Sequence, residues 1–377
     1  MWLRKDKRRK WRKWGWSNTP TRDGIMCVPS LAGFGRQSKM NAYLKLKRKD
    51  KAETPFMRNS RLLLEERIAL FDGKCNPIRF FSAQELSIAT NNYDRRQLFL
   101  RDGSVKFYKG CLEGRLVSVK KFDDYHLPQW PFPPVTRYGI FKDVVIGSNM
   151  SSHKNVLKLL GCCLETQSPT LVYEYVGHKN LFTCIRYPIE SPWLLDRDDP
   201  VKSQPLPWKC RVRVAMGIAN AVAYLHTAFS RPFVHRDIQP LVIILDENNV
   251  PKLIDFSRSL PIPEGQVHAT DSVVSSRIGC IAPDYRLTGN FTEKDDVYYF
   301  GGFQLELLTG WTAEYDEQRL IEIVDPELLE ESVDQQQFLT FANLALSCIS
   351  DKREDRPTIT DVAKQLRRIY DQCLTHP

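Results

Sequence analysis

The stretch FVHRDIQPLVIILDENNVPKLIDFS occupies residues 233–257 of the 377-residue chain, and its reading decides the fold. Two short apolar strands bracket Asp246-Glu247-Asn248-Asn249, a composition suited to a turn. His235-Arg236-Asp237 precedes the first strand, and Asp255-Phe256 follows the second, Lys252-Leu253-Ile254. Two aspartates on successive strand ends, with a lysine on a distant strand, suit metal-phosphate chemistry. One carboxylate would hold Mg²⁺ and the other would accept a proton.

Upstream, residues 97–122 alternate and are rich in β-formers, ending in Leu116-Val117-Ser118-Val119-Lys120-Lys121-Phe122. The spacing predicts a helix over 138–151 and strands near 156–164 and 170–176. Pro-rich runs at 126–134 and 187–207 read as loops. Two earlier helices are expected: one over 60–72 capped by Ser60, and one over 80–91 where Ser82 and Glu85 form a capping box. Downstream, helices fit 209–226, 294–310, 333–349 and 359–373. A strand-rich front and a helix-rich back predict an α+β chain of two unequal lobes.

Apolar residues make up 42% and charged residues 26%, ordinary proportions for a globular protein with a full core. No run reaches the roughly 18 apolar residues that a membrane span needs, and Met1-Trp2-Leu3-Arg4 lacks a signal peptide's apolar core. The ten cysteines include no C-x-x-C pair and no metal spacing, which suits buried thiols in a reducing cytosol. The net charge of +9 is unevenly placed. Residues 1–51 hold 16 Lys/Arg against 3 Asp/Glu, and the rest holds 38 against 42. The basic arm also carries Trp2, Trp11, Trp14 and Trp16. It reads as a solvated, disordered segment. Its indole and cationic side chains also suit peripheral contact with an anionic membrane, and no nucleic-acid partner is expected. A start at Met40 would remove most of it.

The order of motifs resembles the protein kinase fold from Phe80 to Cys373. Val117-Ser118-Val119-Lys120 resembles the strand bearing the phosphate-pairing lysine. Val172-Tyr173-Glu174-Tyr175 resembles the stretch entering the hinge, with Tyr173 at the gatekeeper position. His235-Arg236-Asp237, Asp255-Phe256-Ser257, Ala282-Pro283-Asp284 and Asp296–Gly301 follow in kinase order. Arg356 is the late arginine expected to pair with Asp284. The segments Ala89–Tyr93, Leu159–Cys163 and Leu307–Gly310 resemble plant receptor-like kinases. Leu62–Glu66, Asp72–Lys74, Asn76–Arg79 and Met150–Val156 resemble the ZED-related (ZRK) receptor-like cytoplasmic pseudokinases. The resemblance implies a bilobal kinase-like domain over 80–373, with an N-lobe of about 80–175 and a C-lobe of about 176–373. A helical lead-in over 61–79 and the basic arm over 1–60 precede it.

By the same resemblance, Lys120, Tyr173, Glu174 and Tyr175 stand at nucleotide-binding positions, Asp237 at the base position and Asp255 at the Mg²⁺ position. The residues themselves establish no cofactor; the resemblance implies ATP and Mg²⁺. Yet the phosphate-covering loop places Leu100, Asp102 and Val105 where three glycines belong, with Gly103 out of place. In the catalytic loop, Gln239 replaces a lysine and Val242 replaces the asparagine that holds the second metal, so that ligand is lost and Asp237 is expected to be inactive. The acid paired with Lys120 falls at Asp143 or Val144 by spacing. Residues that hold the fold remain while residues that hold the chemistry are missing.

Two functions follow. The first, which the ZRK resemblance implies, is a kinase-fold pseudokinase adaptor in plant innate immunity. It would bind a coiled-coil NLR immune receptor, receptor-like cytoplasmic kinases and pathogen effectors, in the cytoplasm or at the plasma-membrane face. Its activation segment, 257–281, would present Ser257, Ser259, Thr270, Ser272, Ser275 and Ser276 for modification, with Arg258 and Arg277 as candidate readers of phosphate-type charge. The second is an active or weakly active serine/threonine kinase of the same class, using ATP through Lys120, Asp237 and Asp255.

Overall fold

The computed structural model describes residues 53–102, 105–123, 136–177, 179–185, 206–270, 281–310, 324–331 and 333–375. Helix α1, Pro55–Phe71, opens them. It begins five residues before the expected start and is capped by Thr54, not Ser60. The reason is local: Thr54 Oγ1 accepts the Met57 amide at 3.3 Å, and Pro55 supplies a preset φ at the first helical position. Strand β1 (Arg79–Phe80) and helix α2 (Ala83–Ala89) follow, the latter with the expected Ser82–Glu85 capping box.

The alternating segment forms β2 (Leu98–Asp102), β3 (Val105–Leu112) and β4 (Arg115–Phe122). Helix α3 spans Arg137–Met150, and β5 (Leu159–Cys163) and β6 (Thr170–Glu174) complete a six-stranded sheet in the order β1-β5-β6-β4-β3-β2. Within this sheet β1 and β5 pair in parallel, at Arg79 with Gly161, and the other neighbours pair antiparallel. Gly161 is required there, because a Cβ would come within 1.9 Å of the Arg79 carbonyl oxygen.

Beyond β7 (Lys179–Asn180) and α4 (Leu181–Ile185), the chain is helical around a few short strands. Helix α5 (Trp208–Thr227) leads through β8 (Phe233–Val234) to the hairpin of β9 (Ile243–Leu245) and β10 (Pro251–Leu253). After β11 (Leu260–Pro261) and β12 (Ala269–Thr270) come α6 (Pro283–Thr288), β13 (Asn290–Phe291) and the buried α7 (Glu293–Thr309). Helices α8 (Pro326–Leu329), α9 (Gln335–Cys348) and α10 (Ile359–Thr375) finish the domain. Gly301 lets α9 approach α7, since a Cβ there would meet the Ala345 carbonyl oxygen at 2.8 Å. The architecture is the α+β, two-lobed kinase fold. The expected loop at 126–134 lies outside the described residues, as does all of the one at 187–207 except Leu206 and Pro207.

Helix α1 spans the two lobes. Leu62, Leu63 and Leu70 are buried in the core, and the buried Asn59 amide donates to the Leu164 and Thr166 carbonyls, both at 2.9 Å. The following turn is tied to α3 by Asn76, which donates to the Ser148 carbonyl at 2.8 Å. At the other end, the Phe71 ring stacks on Phe233 with centroids 5.0 Å apart and meets Phe229 edge-on at 5.2 Å. The Arg231 guanidinium donates to the last carbonyls of α1, those of Ala69 and Leu70. Truncation by Phe71→Ala removes the aromatic stack between α1 and the helical lobe. Urea denaturation should show a loss of about 2–3 kcal/mol, given the range for partly buried aromatic truncations. A loss within about 0.5 kcal/mol would show that α1 is not held by this contact.

Candidate functional site

Lys120 lies on β4, paired across the sheet with Phe107 of β3 and Leu171 of β6. Its ammonium has no solvent exposure. It meets the Asp143 carboxylate of α3 at 2.7 Å and that of Asp255 at 3.2 Å. Asp143, not Val144, is therefore the acid partner; Val144 is buried in the apolar core. The Asp143 carboxylate also accepts the Phe256 backbone amide at 2.9 Å and the Tyr173 hydroxyl at 3.2 Å. One buried carboxylate thus gathers β4, β6, α3 and the segment after β10.

The charges are unequal in kind. Burial drives the Asp143 carboxyl pKa up, and Lys120 offsets this only in part. Burial also acts to raise Asp255, but the Lys120 charge and the Ser257 hydrogen bonds outweigh it and hold that carboxyl well below the usual range. Lys120 loses hydration through burial, and its two carboxylates more than restore the charged form. One cation serving two anions favours one carboxylate at the expense of the other. Burial, then the nearby Asp143 charge, raise Tyr173 well above its ordinary value.

The second half of the site rests on α7. Asp296 is fully buried. One of its oxygens accepts the His235 amide at 2.7 Å and faces His226 Nε2 at 2.8 Å; the other accepts the Arg236 amide at 2.8 Å. This anchors the loop while Arg236 and Asp255 hold left-handed backbone, φ 70° and 69°. Arg236 reaches the Tyr285 hydroxyl and lies 4.6 Å from the centroid of the Phe291 ring. Arg356, fully buried, pairs with Asp284 at 3.1 Å, as its position in the chain suggested.

The carboxylate of Asp237 is engaged on both sides. Gln239 Nε2 donates to one oxygen at 2.5 Å, and Arg258 Nε stands 3.4 Å from the other. Arg258 is thus committed to Asp237 instead of standing free to read phosphate. Val242 is 2% exposed within a 3-10 turn, Pro240–Val242, and offers no side-chain oxygen. Of the hinge residues, Tyr173 is buried against Asp143. Glu174 turns back to accept the Lys158 amide at 3.1 Å, and the Tyr175 ring faces Lys109 at 5.3 Å. Gly103 lies outside the described residues, as do Ser272, Ser275, Ser276 and Arg277. Ser257 and Ser259 are buried, whereas Thr270 is exposed.

A kinase domain implies ATP with Mg²⁺, and the side chains here do not fit that pair. Only Asp255 offers a metal-binding oxygen at the two ligand positions, and Lys120 already serves two carboxylates. Among the described residues no group of three or more His, Cys, Asp or Glu is placed to hold a metal ion. Sequence reasoning missed Phe99 and Phe107, which crowd this site; the signal available was an aromatic residue two positions beyond the last glycine position.

The chain matches the family described as protein tyrosine and serine/threonine kinase over residues 136–366. It is 37% identical to the Arabidopsis thaliana protein named "Non-functional pseudokinase ZED1", over 83% of this chain and 95% of that protein. It is 34% identical to the Arabidopsis "Serine/threonine-protein kinase ZRK1", over 86% and 94%. It is 32% identical to Arabidopsis "Wall-associated receptor kinase-like 1", over 83% of this chain and 43% of that protein. The chain belongs to the protein kinase family and is related to ZED1 and the ZRK proteins. These relatives are named as a non-functional pseudokinase and as serine/threonine-protein and receptor kinases, so residues of this chain must carry the functional argument.

Two outcomes follow from the buried charges. Asp143→Ala strands Lys120 beside a single carboxylate and leaves the Tyr173 hydroxyl and Phe256 amide unpartnered. Urea denaturation at pH 7 should show a loss of about 3–5 kcal/mol; less than 1 kcal/mol would mean the cluster does not hold the lobe together. Burial also lowers the pKa of His235 from its ordinary 6.5, and that of His153 likewise. Both rings are harder to protonate in the folded chain than in the unfolded one, which takes up protons below about pH 6.5. Stability should therefore fall as pH drops from 6.5 toward the folded values, by at most about 1.4 kcal/mol per pH unit for each ring. His235→Gln should flatten part of that slope in urea midpoints measured at pH 7 and 5.5; an unchanged slope would contradict a neutral buried ring.

Proposed function

We propose that this kinase-family protein is a pseudokinase adaptor that works through its outer surfaces. The observation that carries the reading is the state of Asp237. An amide, Gln239, holds the carboxylate where a kinase places a lysine for the γ-phosphate, and Arg258 faces its other oxygen. An amide carries no net charge to steady a phosphoryl group in flight. Val242 adds the loss of a metal ligand. Removing one preorganised electrostatic contact typically costs roughly 10²–10³ in rate. Kinship with a protein named a non-functional pseudokinase supports the same reading.

In this proposal the partners are a coiled-coil NLR immune receptor, receptor-like cytoplasmic kinases and pathogen effectors, met in the cytoplasm. The basic, Trp-rich arm would touch the anionic face of the plasma membrane. No helix among the described residues is long and apolar enough to cross a membrane. Of the hydroxyls considered for modification, Thr270 is the accessible one within the described residues, with its Oγ1 donating to Asn290 at 2.7 Å.

One observation favours a second reading, a slow serine/threonine kinase: the closed Lys120–Asp143 pair, which active kinases also form with a longer acid. Labelled ATP with Mg²⁺ or Mn²⁺ separates the two. The full-length chain and Asp255→Asn should give equal background incorporation, while both retain binding to a co-expressed coiled-coil NLR receptor. Incorporation that Asp255→Asn abolishes would establish the kinase and overturn the adaptor reading.

A further inference from the structure

The adaptor reading rests on the phosphate end of the cleft; the other end departs from the kinase signature as well. The kinase signature places a valine two residues after its third glycine. With Val105 at that glycine position, Phe107 stands where the valine belongs. Leu100 pairs with Phe107 across β2 and β3, and Phe107 pairs with Lys120 across β3 and β4. Directly opposed residues share a sheet face, so Leu100, Phe107 and Lys120 line up on one side. The Phe107 ring is 5.7 Å from the Lys120 ammonium and 6.4 Å from the Tyr173 ring, and the residue is 2% exposed.

A second aromatic side chain joins it through an irregularity in the sheet. The register of β2 on β3 shifts between Leu98 and Leu100, leaving two steps on β2 against one on β3. A bulge of this kind re-aims a side chain. Here the Phe99 ring comes to rest 6.1 Å from Phe107 and 6.2 Å from Tyr175 at the hinge. Aromatic rings therefore run from beside the lysine to the hinge, the end of the cleft away from the phosphates.

We propose that Phe107, backed by Phe99, occupies the purine seat, so that nucleosides and nucleotides are excluded sterically at the base end whatever happens at the phosphates. The inference deepens the adaptor reading but fails separately from it. Replacing Phe107 with the signature valine should reopen a flat, apolar slot for a purine nucleoside without restoring phosphoryl transfer, because Gln239 and Val242 are unchanged.

The test uses the full-length chain and adenosine, which has no phosphate, followed by ADP, in calorimetric titration and thermal unfolding. A ligand of the folded state raises its stability by mass action. The unaltered chain should show no shift, and Phe107→Val should bind adenosine at least tenfold more tightly. Phe107→Leu removes the ring but less volume than the valine change, so it should show a smaller gain in the same direction should the valine variant fold poorly. Phe81→Val, a comparable truncation in the separate cluster around Leu86, should show none. Equal adenosine binding by the unaltered chain, or folded Phe107 variants with no gain, would overturn the proposal. Nucleotide binding by the unaltered chain without phosphate transfer would overturn it while leaving the adaptor reading intact. Phosphate transfer by the unaltered chain would overturn both.

Discussion

A carboxylate with no access to solvent organises the sheet-bearing lobe. Asp143 takes a hydrogen bond from Lys120, one from the Tyr173 hydroxyl and one from the Phe256 amide. Each donor comes from a different strand or segment, so the helix cannot shift without breaking several bonds at once. Burying an anion is costly unless each of its oxygens is satisfied and a counter-charge lies close. Both conditions are met, and the counter-charge is the lysine that a catalytic kinase would aim at phosphate. Asp255 is the second anion beside that lysine.

The helical lobe has its own anchor. Asp296, near the start of α7, receives two consecutive backbone amides of the loop carrying His235 and Arg236. Arg356 locks α6 to the same region through Asp284. These contacts fix the backbone of the loop, left-handed Arg236 included, whatever its later residues can do. Gln239 and Val242 sit on that intact platform. Loop geometry and loop chemistry are separable because backbone amides set the first and side-chain charge sets the second.

Much of this was legible in the chain alone. Periodicity located the helices and strands because each element buries one face. The ordered motifs announced the fold, and Gln239 and Val242 were readable as departures from the catalytic-loop pattern, since a neutral amide is no cation and an alkyl group offers no metal-binding oxygen. The pairing of Arg356 with Asp284 was also readable. The start of α1 was not, because two hydroxyl residues compete as caps and the advantage of Thr54 comes from the proline beside it.

What the linear order determined, then, was identity by type: which elements form, which charges are absent and which lobe each belongs to. Tertiary structure alone decided which neighbour each group meets. It chose Asp143 over Val144, because helix phase and the position of α3 against β4 select the residue that faces Lys120. It turned Arg258 toward Asp237 and brought Phe99 beside Phe107 through a one-residue shift in register. Those outcomes depend on distances between segments far apart in the chain. Local sequence carries no record of them until packing brings the segments together.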